Sequence, residues 1–210
     1  MSSNMILPSD SSRPPGTSGP LMPDRVLDVA EDVLRRFGPA KANVIDVARA
    51  LRVSHGSIYR HFPSKMALLD AVAERWLARI SGPLALIAAE PGPAIERLRR
   101  WFDVYIATLR RKAESDPDLF ATYVMLAARR SEVVVAHGEQ LKTHIAKIVD
   151  DGIRQGVFTA IEAHLAGLAI FDATTRFHSP LHAPDWAGPN INGDFETIWR
   201  LILRGLGVPK

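Results

Sequence analysis

The sequence predicts an all-α fold, and three observations carry that expectation. Apolar residues recur at helical spacing from Asp24 almost to the end of the chain. No stretch of convincing length alternates with the two-residue period of a strand, and no internal repeat is visible. The interruptions between helical runs are rich in Pro, Gly, Ser and Asn, the residues that break helices. The 210 residues suffice for a small domain joined to a larger one. Hydrophobic residues make up 47% and charged residues 23%, the balance of a soluble globular chain. The formal charge of +3 permits a nucleic-acid partner without demanding one, so the placement of charge matters more than its sum.

There is no cysteine, which excludes disulfides, thiolate zinc sites and a thiol nucleophile. The opening MSSNMILPSD has neither a basic segment nor a continuous apolar run, so no secretory signal is expected. No run approaches the roughly 18 uninterrupted apolar residues of a spanning helix. The cytoplasm is the expected compartment.

Residues 1–22, with SSRPPGTSGP, have little to bury and read as a disordered arm. A first helix begins at Asp24: Val26, Ala30, Val33 and Phe37 form one stripe, and Gly38-Pro39 stops it. A second starts after Asn43, a capping residue, with Ile45, Ala48 and Leu51 as its expected buried edge. Ser54 caps a third, and Pro63-Ser64 leads into a fourth carrying Leu68, Leu69, Val72, Trp76 and Leu77. Ser81-Gly82-Pro83 is expected to end that helix. Further helices are expected over 93–112, 117–131, 132–155, 160–177 and 194–206, with a Pro/Gly/Asn-rich loop over 179–193.

The stretch VSHGSIYRHFPSK (53–65) carries the functional information. Ile58 and Phe62, with Val53, anchor one face, and every other side chain is polar, basic or aromatic. Two short helices joined tightly at Arg52-Val53-Ser54, the second with an unburied polar face, have the shape of a helix-turn-helix. A major groove about 12 Å wide admits such a helix only if that face stays free. His55, Ser57 and Arg60 can reach base edges. Tyr59, His61 and Lys65 can reach phosphates, and Gly56 allows close backbone approach.

The run VARALRVSHGSIYRHFPSKMALLDAV resembles the DNA-binding domain of TetR/AcrR-type bacterial transcriptional regulators, whose usual pattern is IA…GVS.GTLY.HF.SKE.L. The resemblance extends from about Asp24 to Trp76. It implies a reading head at 23–68 and a helical ligand-binding and dimerisation domain at 69–210. It places Ser57, Tyr59, His61 and Lys65 at DNA-contact positions, with His55 and Arg60 setting specificity and Gly56 against the DNA. Arg52 stands where the family usually has the turn glycine. A left-handed non-glycine residue there costs on the order of 1 kcal/mol and gives the arginine access to a phosphate. Asn43-Val44-Ile45 replaces a threonine-rich start, which weakens base reading by the second helix.

Beyond Trp76 the resemblance is architectural. Trp101, Tyr105, Phe120 and Tyr123 lie on apolar helical faces and are candidates to line a ligand cavity. Asp172, Arg176 and His178 are candidates to orient a polar group of the ligand. The last two helices are expected to pair across a two-fold axis as a four-helix bundle. His178, His182 and Asp185 have the donor chemistry for zinc, but Pro180 and Pro184 put them in a loop, and no metal site is assigned. His137 and His144, i and i+7 on one helix, are poorly spaced to share an ion. No cofactor is expected beyond an unidentified small-molecule effector.

No nucleophile elbow, H-E-x-x-H, P-loop or dinucleotide fingerprint is present, so an enzyme is not the expected class. The expected function is a ligand-responsive regulator, a repressor by family habit. It would bind a palindromic double-stranded operator as a homodimer and have no membrane partner. The alternatives are a transcriptional activator, or an interaction protein of the same fold that has lost DNA binding.

Overall fold

The computed structural model describes residues 22–209, and the expected arm lies outside them except for Met22. Helix α1 (Pro23–Lys41) opens on a proline at its first position and buries Val26, Ala30, Val33 and Leu34. Gly38 adopts φ +69°, a left-handed conformation that glycine takes without steric penalty, and kinks the helix before a last turn. Phe37 lies beside this kink and stays largely exposed instead of completing the stripe.

Helix α2 (Val44–Leu51) is capped by Asn43, whose Oδ1 accepts the Asp46 amide at 2.9 Å. Its buried edge is Val44, Val47 and Ala48, and Ile45 is 56% exposed. Positions 44, 47, 48 and 51 share one face at i, i+3, i+4 and i+7, whereas Ile45 lies about 100° around the helix from Val44. Ala48 and Leu51 of the expected edge are therefore on the packed face, and Ile45 alone is not, its place being taken by Val44 and Val47. Arg52 closes the helix with φ +57° and ψ +39°, as a turn glycine would.

Helix α3 (His55–Tyr59) is capped by Ser54, and α4 (Lys65–Ala89) by Ser64, which accepts the Ala67 amide at 3.0 Å. Helix α4 does not end at Ser81-Gly82-Pro83. Ile80, Ser81, Leu84, Ile87 and Ala88 are all buried on both sides of Pro83. That packing outweighs the one backbone hydrogen bond the proline removes, and Pro83 itself faces outward.

Helices α5 (Ala94–Ser115), α6 (Pro117–Ala128) and α7 (Glu132–Arg154) follow close to their expected spans. The expected helix 160–177 is divided into α8 (Ala163–Ala173) and α9 (Thr175–His178). At the break, the Thr174 hydroxyl bonds back to the Ile170 carbonyl at 2.8 Å, a local contact that competes with helix continuation. The expected loop 179–193 contains a 3-10 helix over Pro180–Ala187. Its buried Trp186 donates Nε1–H to the Arg176 carbonyl at 3.0 Å. Helix α10 (Ile191–Gly205) completes the fold.

Helix α1 packs on α6 and α2, while α4 lies between α5 and α7. The far end of α4 is fixed by Arg97, almost fully buried. Its guanidinium donates to the Ala88 carbonyl at 2.7 Å and to Asp151 of α7 at 2.9 Å. Helices α7 and α8 approach closely at Gly167, where a Cβ would sit 2.9 Å from the Lys142 carbonyl and the Ala146 amide nitrogen. Among the described residues there is no strand, and no helix is long and apolar enough to cross a membrane.

Candidate functional site

The sequence places its polar face on α3, and the fold leaves that face uncovered. Ile58 is fully buried and Phe62 nearly so, which fixes the short helix beside α2 and into the common core. His55, Gly56, Tyr59, Arg60 and His61 are all exposed, as is Arg52 in the preceding turn. The Ser54 hydroxyl accepts the Ser57 amide at 3.2 Å and pairs with the Ser57 hydroxyl at 2.9 Å. Arg60 Nη2 donates to that same Ser57 oxygen at 3.2 Å, holding the guanidinium along the helix. His55 and Tyr59 meet edge to face, with ring centroids 6.4 Å apart. A Cβ on Gly56 would meet only the Ser54 hydroxyl, at 3.8 Å, so nothing inside the chain requires glycine there. Lys65 is half-buried, and its ammonium donates to the Ala40 carbonyl at 3.4 Å across the end of α1. All eight residues picked from sequence thus fall in one short segment, seven around the exposed helix and Lys65 beside it.

The candidates for ligand contact separate. Tyr105 and Tyr123 line a cavity of about 200 Å³ between α5, α6, α7 and the α8–α9 corner, open to solvent on one side. Trp101 and Phe120 are buried in the aromatic core instead, Trp101 against Phe102 and Tyr105, Phe120 against Trp76 and Trp186. Asp172 is exposed, and Arg176 lies on the surface in ion pairs with Asp185 and Asp194. The loop histidine His182 faces Asp185 at 3.5 Å, while His178 turns inward to the cavity. Among the described residues no three metal-ligating side chains cluster.

Of the three residues expected to orient a polar ligand group, only His178 reaches the cavity wall, and His137, Thr175 and Ser179, which sequence reading missed, join it and the two tyrosines there. His137 was legible as a polar residue on the apolar face shared with Val134, Leu141 and Ile145 of α7. His178 is 2% exposed and packs on Phe171 and Tyr105, with centroids at 4.5 and 5.2 Å. Burial holds its imidazolium form down to a pKa of about 3, and burial with nearby His144 lowers His137 to about 4. Burial likewise raises the Tyr105 hydroxyl and pushes Tyr123 up to about 12. Every one of these groups is neutral near pH 7.

The cavity is physically joined to the reading head. Tyr123 packs on Trp76 of α4 with centroids 5.5 Å apart, and Phe120 touches the same indole. Arg35 of α1 donates to Asp116, the residue that opens α6, at 3.2 Å. It also pairs with buried Glu31, which takes Arg75 and Arg79 of α4 at 2.8 and 3.0 Å. Those arginines hold the Glu31 carboxyl below its ordinary range despite the opposing effect of burial. A separate cavity of about 390 Å³ lies between α4 and α7, with Glu74, Glu132 and Gln140 on its wall and His137 shared with the first. Between α8 and α10 runs an apolar groove that includes Ile170, Ile198 and Leu201.

A helix-turn-helix head on a helical body with an internal cavity defines a class of DNA-binding regulator. The model for the bacterial regulatory proteins of the tetR family matches residues 26–72, and that for the tetracyclin repressor-like C-terminal domain matches residues 94–199, half of the chain. The chain belongs to the TetR family of bacterial transcriptional regulators. It is 31% identical over 123 residues to an HTH-type transcriptional regulator of Mycobacterium tuberculosis H37Rv, a match spanning 55% of this chain and 59% of that protein. An HTH-type transcriptional repressor of the same strain is 32% identical over 72 residues, 34% of this chain and 37% of the relative. Among solved structures, the fatty acid degradation regulator FadR of Bacillus halodurans superposes with a TM-score of 0.63 at 18% identity, covering 91% of this chain and 97% of that one. SmeT, the repressor of a Stenotrophomonas maltophilia multidrug efflux pump, gives 0.64 at 16% identity, covering 88% and 90%. At these identities the structures attest the fold alone.

Proposed function

We propose that the protein is a dimeric repressor that binds a palindromic operator through α3 and leaves it when a small molecule enters the 200 Å³ cavity. The observation that carries the reading is the contact of Tyr123, on the cavity wall, with Trp76 on α4. Helix α4 begins at Lys65, directly after the recognition segment, and is pinned at its far end by Arg97. At 1.5 Å per residue its 25 residues span about 37 Å, so a small tilt at Trp76 becomes a displacement of α3. A dimer engages two half-sites about 34–36 Å apart, and such a displacement in each subunit breaks simultaneous contact. The pairing face is proposed to be α8 with α10, where Leu201 on the apolar groove and Leu165 of α8 are mostly exposed. The repressor assignment draws on the relative named a transcriptional repressor.

The test is Trp76→Leu, measured for both operator affinity and effector response. The reading predicts that operator binding persists while the effector concentration needed for release rises at least about tenfold, a loss of coupling in the range of single allosteric contacts. Unchanged release by effector would remove Trp76 from the coupling route.

A further inference from the structure

The chemistry of the effector can be read from the hydrogen-bonding groups of its cavity. The inference rests on the proposed role of that cavity as the effector site. No Asp, Glu, Lys or Arg lines it; its polar side chains are Tyr105, Tyr123, His137, Thr175, His178 and Ser179. An isolated charge transferred into such a wall would lose its hydration without gaining a counter-charge. The cavity therefore selects against ions.

Its size and walls restrict the ligand further. A cavity of about 150 Å³ lined by apolar side chains holds benzene, and this one is somewhat larger at about 200 Å³. It admits one ring with small substituents and is too small for a long acyl chain. The rings of Tyr105, Tyr123, Phe171 and His178 all face it, and aromatic surfaces pair favourably with an aromatic guest in offset or edge-on geometry.

The hydrogen-bond inventory then specifies a substituent. The Thr174 hydroxyl gives its proton to the Ile170 carbonyl at 2.8 Å. His178 Nε2 lies 3.1 Å from that hydroxyl oxygen and 3.3 Å from the Phe171 carbonyl, both acceptors in this arrangement. The Phe171 carbonyl can only accept, so this contact fits a proton on Nε2 and leaves Nδ1 as a lone-pair acceptor with no hydrogen bond to the described residues. Tyr105 and Tyr123 bring phenolic hydroxyls, which can donate, to the same wall. His137 adds a buried Nε2 that also lacks any partner. An acceptor and a donor on one cavity wall are both satisfied by a hydroxyl group, which donates and accepts.

We propose that the effector is an uncharged, hydroxylated single-ring aromatic molecule whose hydroxyl donates to His178 Nδ1. Gly138 supplies a clean way to close the chamber. It lines the cavity on α7, and a Cβ there meets nothing within 4 Å. Replacing a mid-helix glycine favours the helix, so a larger residue fills the space without a backbone penalty.

The experiment is calorimetric titration of the purified full-length protein at neutral pH with phenol, toluene, benzoate and benzylammonium. These share one ring and differ in hydroxyl and charge. The wild type is expected to bind phenol at least about tenfold more tightly than toluene, because toluene displaces water from the Nδ1 acceptor on the wall without replacing its hydrogen bond. The two ions are expected to bind more weakly than either. Gly138→Leu should abolish phenol binding while the helical circular dichroism and operator binding remain. His178→Phe should bring the phenol-to-toluene preference close to one while toluene still binds. No phenol binding, or an ion binding as tightly as phenol, would overturn the proposal. If an ion binds and Gly138→Leu abolishes it, the effector-site reading survives and only the chemistry is wrong. If Gly138→Leu leaves ligand binding intact, both fail.

Discussion

At the scale of single residues, the two ends of the molecule use opposite electrostatic strategies. On α3 the basic and aromatic side chains stand in water, where they can exchange hydration for phosphate contacts. Lys65→Ala is expected to weaken binding to every DNA sequence and to lower the slope of log affinity against log salt by about one. His55 and Arg60 substitutions are expected to change sequence preference, and fluorescence anisotropy across salt concentrations and operator variants separates the two effects. Around the cavity, by contrast, burial keeps histidines neutral. His178 and His137 titrate near 3 and 4 in the folded protein, against an ordinary value of 6.5. Below pH 6.5 the unfolded chain binds protons that the folded one does not, so stability rises with pH through this window. The melting temperature should therefore fall steadily from pH 6.5 to pH 5, and fall less in His178→Phe. A flat profile over that range would mean that these imidazoles are solvated.

Elements were legible wherever a clear periodic face met a capping residue. Asn43, Ser54 and Ser64 each cap the helix that their position in the sequence indicates, and Arg52 takes the left-handed turn expected of it. The recognition face was readable because exposure there is local: Ile58 and Phe62 define what is buried, and the rest follows. What could not be read was decided by neighbours distant in sequence. Ser81-Gly82-Pro83 carries every local sign of a helix end, yet burial against α5 and α7 keeps α4 continuous. Trp101 and Tyr105 are one helical turn apart on the same face, and only the packing of α6, α7 and α9 puts one in the core and the other on the cavity. Because Pro83 removes a backbone hydrogen bond inside a long helix, Pro83→Ala is expected to stabilise the protein by about 1–3 kcal/mol. Denaturant unfolding checks this, and a loss of stability would show that the proline sets a bend the packing requires.

In the molecule as a whole, the reading head, the long α4 and the cavity beside it are proposed to work as one regulator. Its apolar α8–α10 groove is proposed to be closed by a second copy. Leu201 is 56% exposed on that groove, so Leu201→Glu should leave the fold intact while shifting sedimentation from dimer to monomer. Operator affinity should fall with it, because each head alone holds only one half-site. A wild-type protein that sediments as a monomer would contradict this arrangement. The most direct test of the central claim is recovery of genomic DNA fragments by the purified protein at low and moderate salt. The account predicts enrichment of a palindromic site that persists at the higher salt. Recovery of fragments without common sequence, lost as salt rises, would contradict it and leave α3 as a surface that holds phosphates without reading bases.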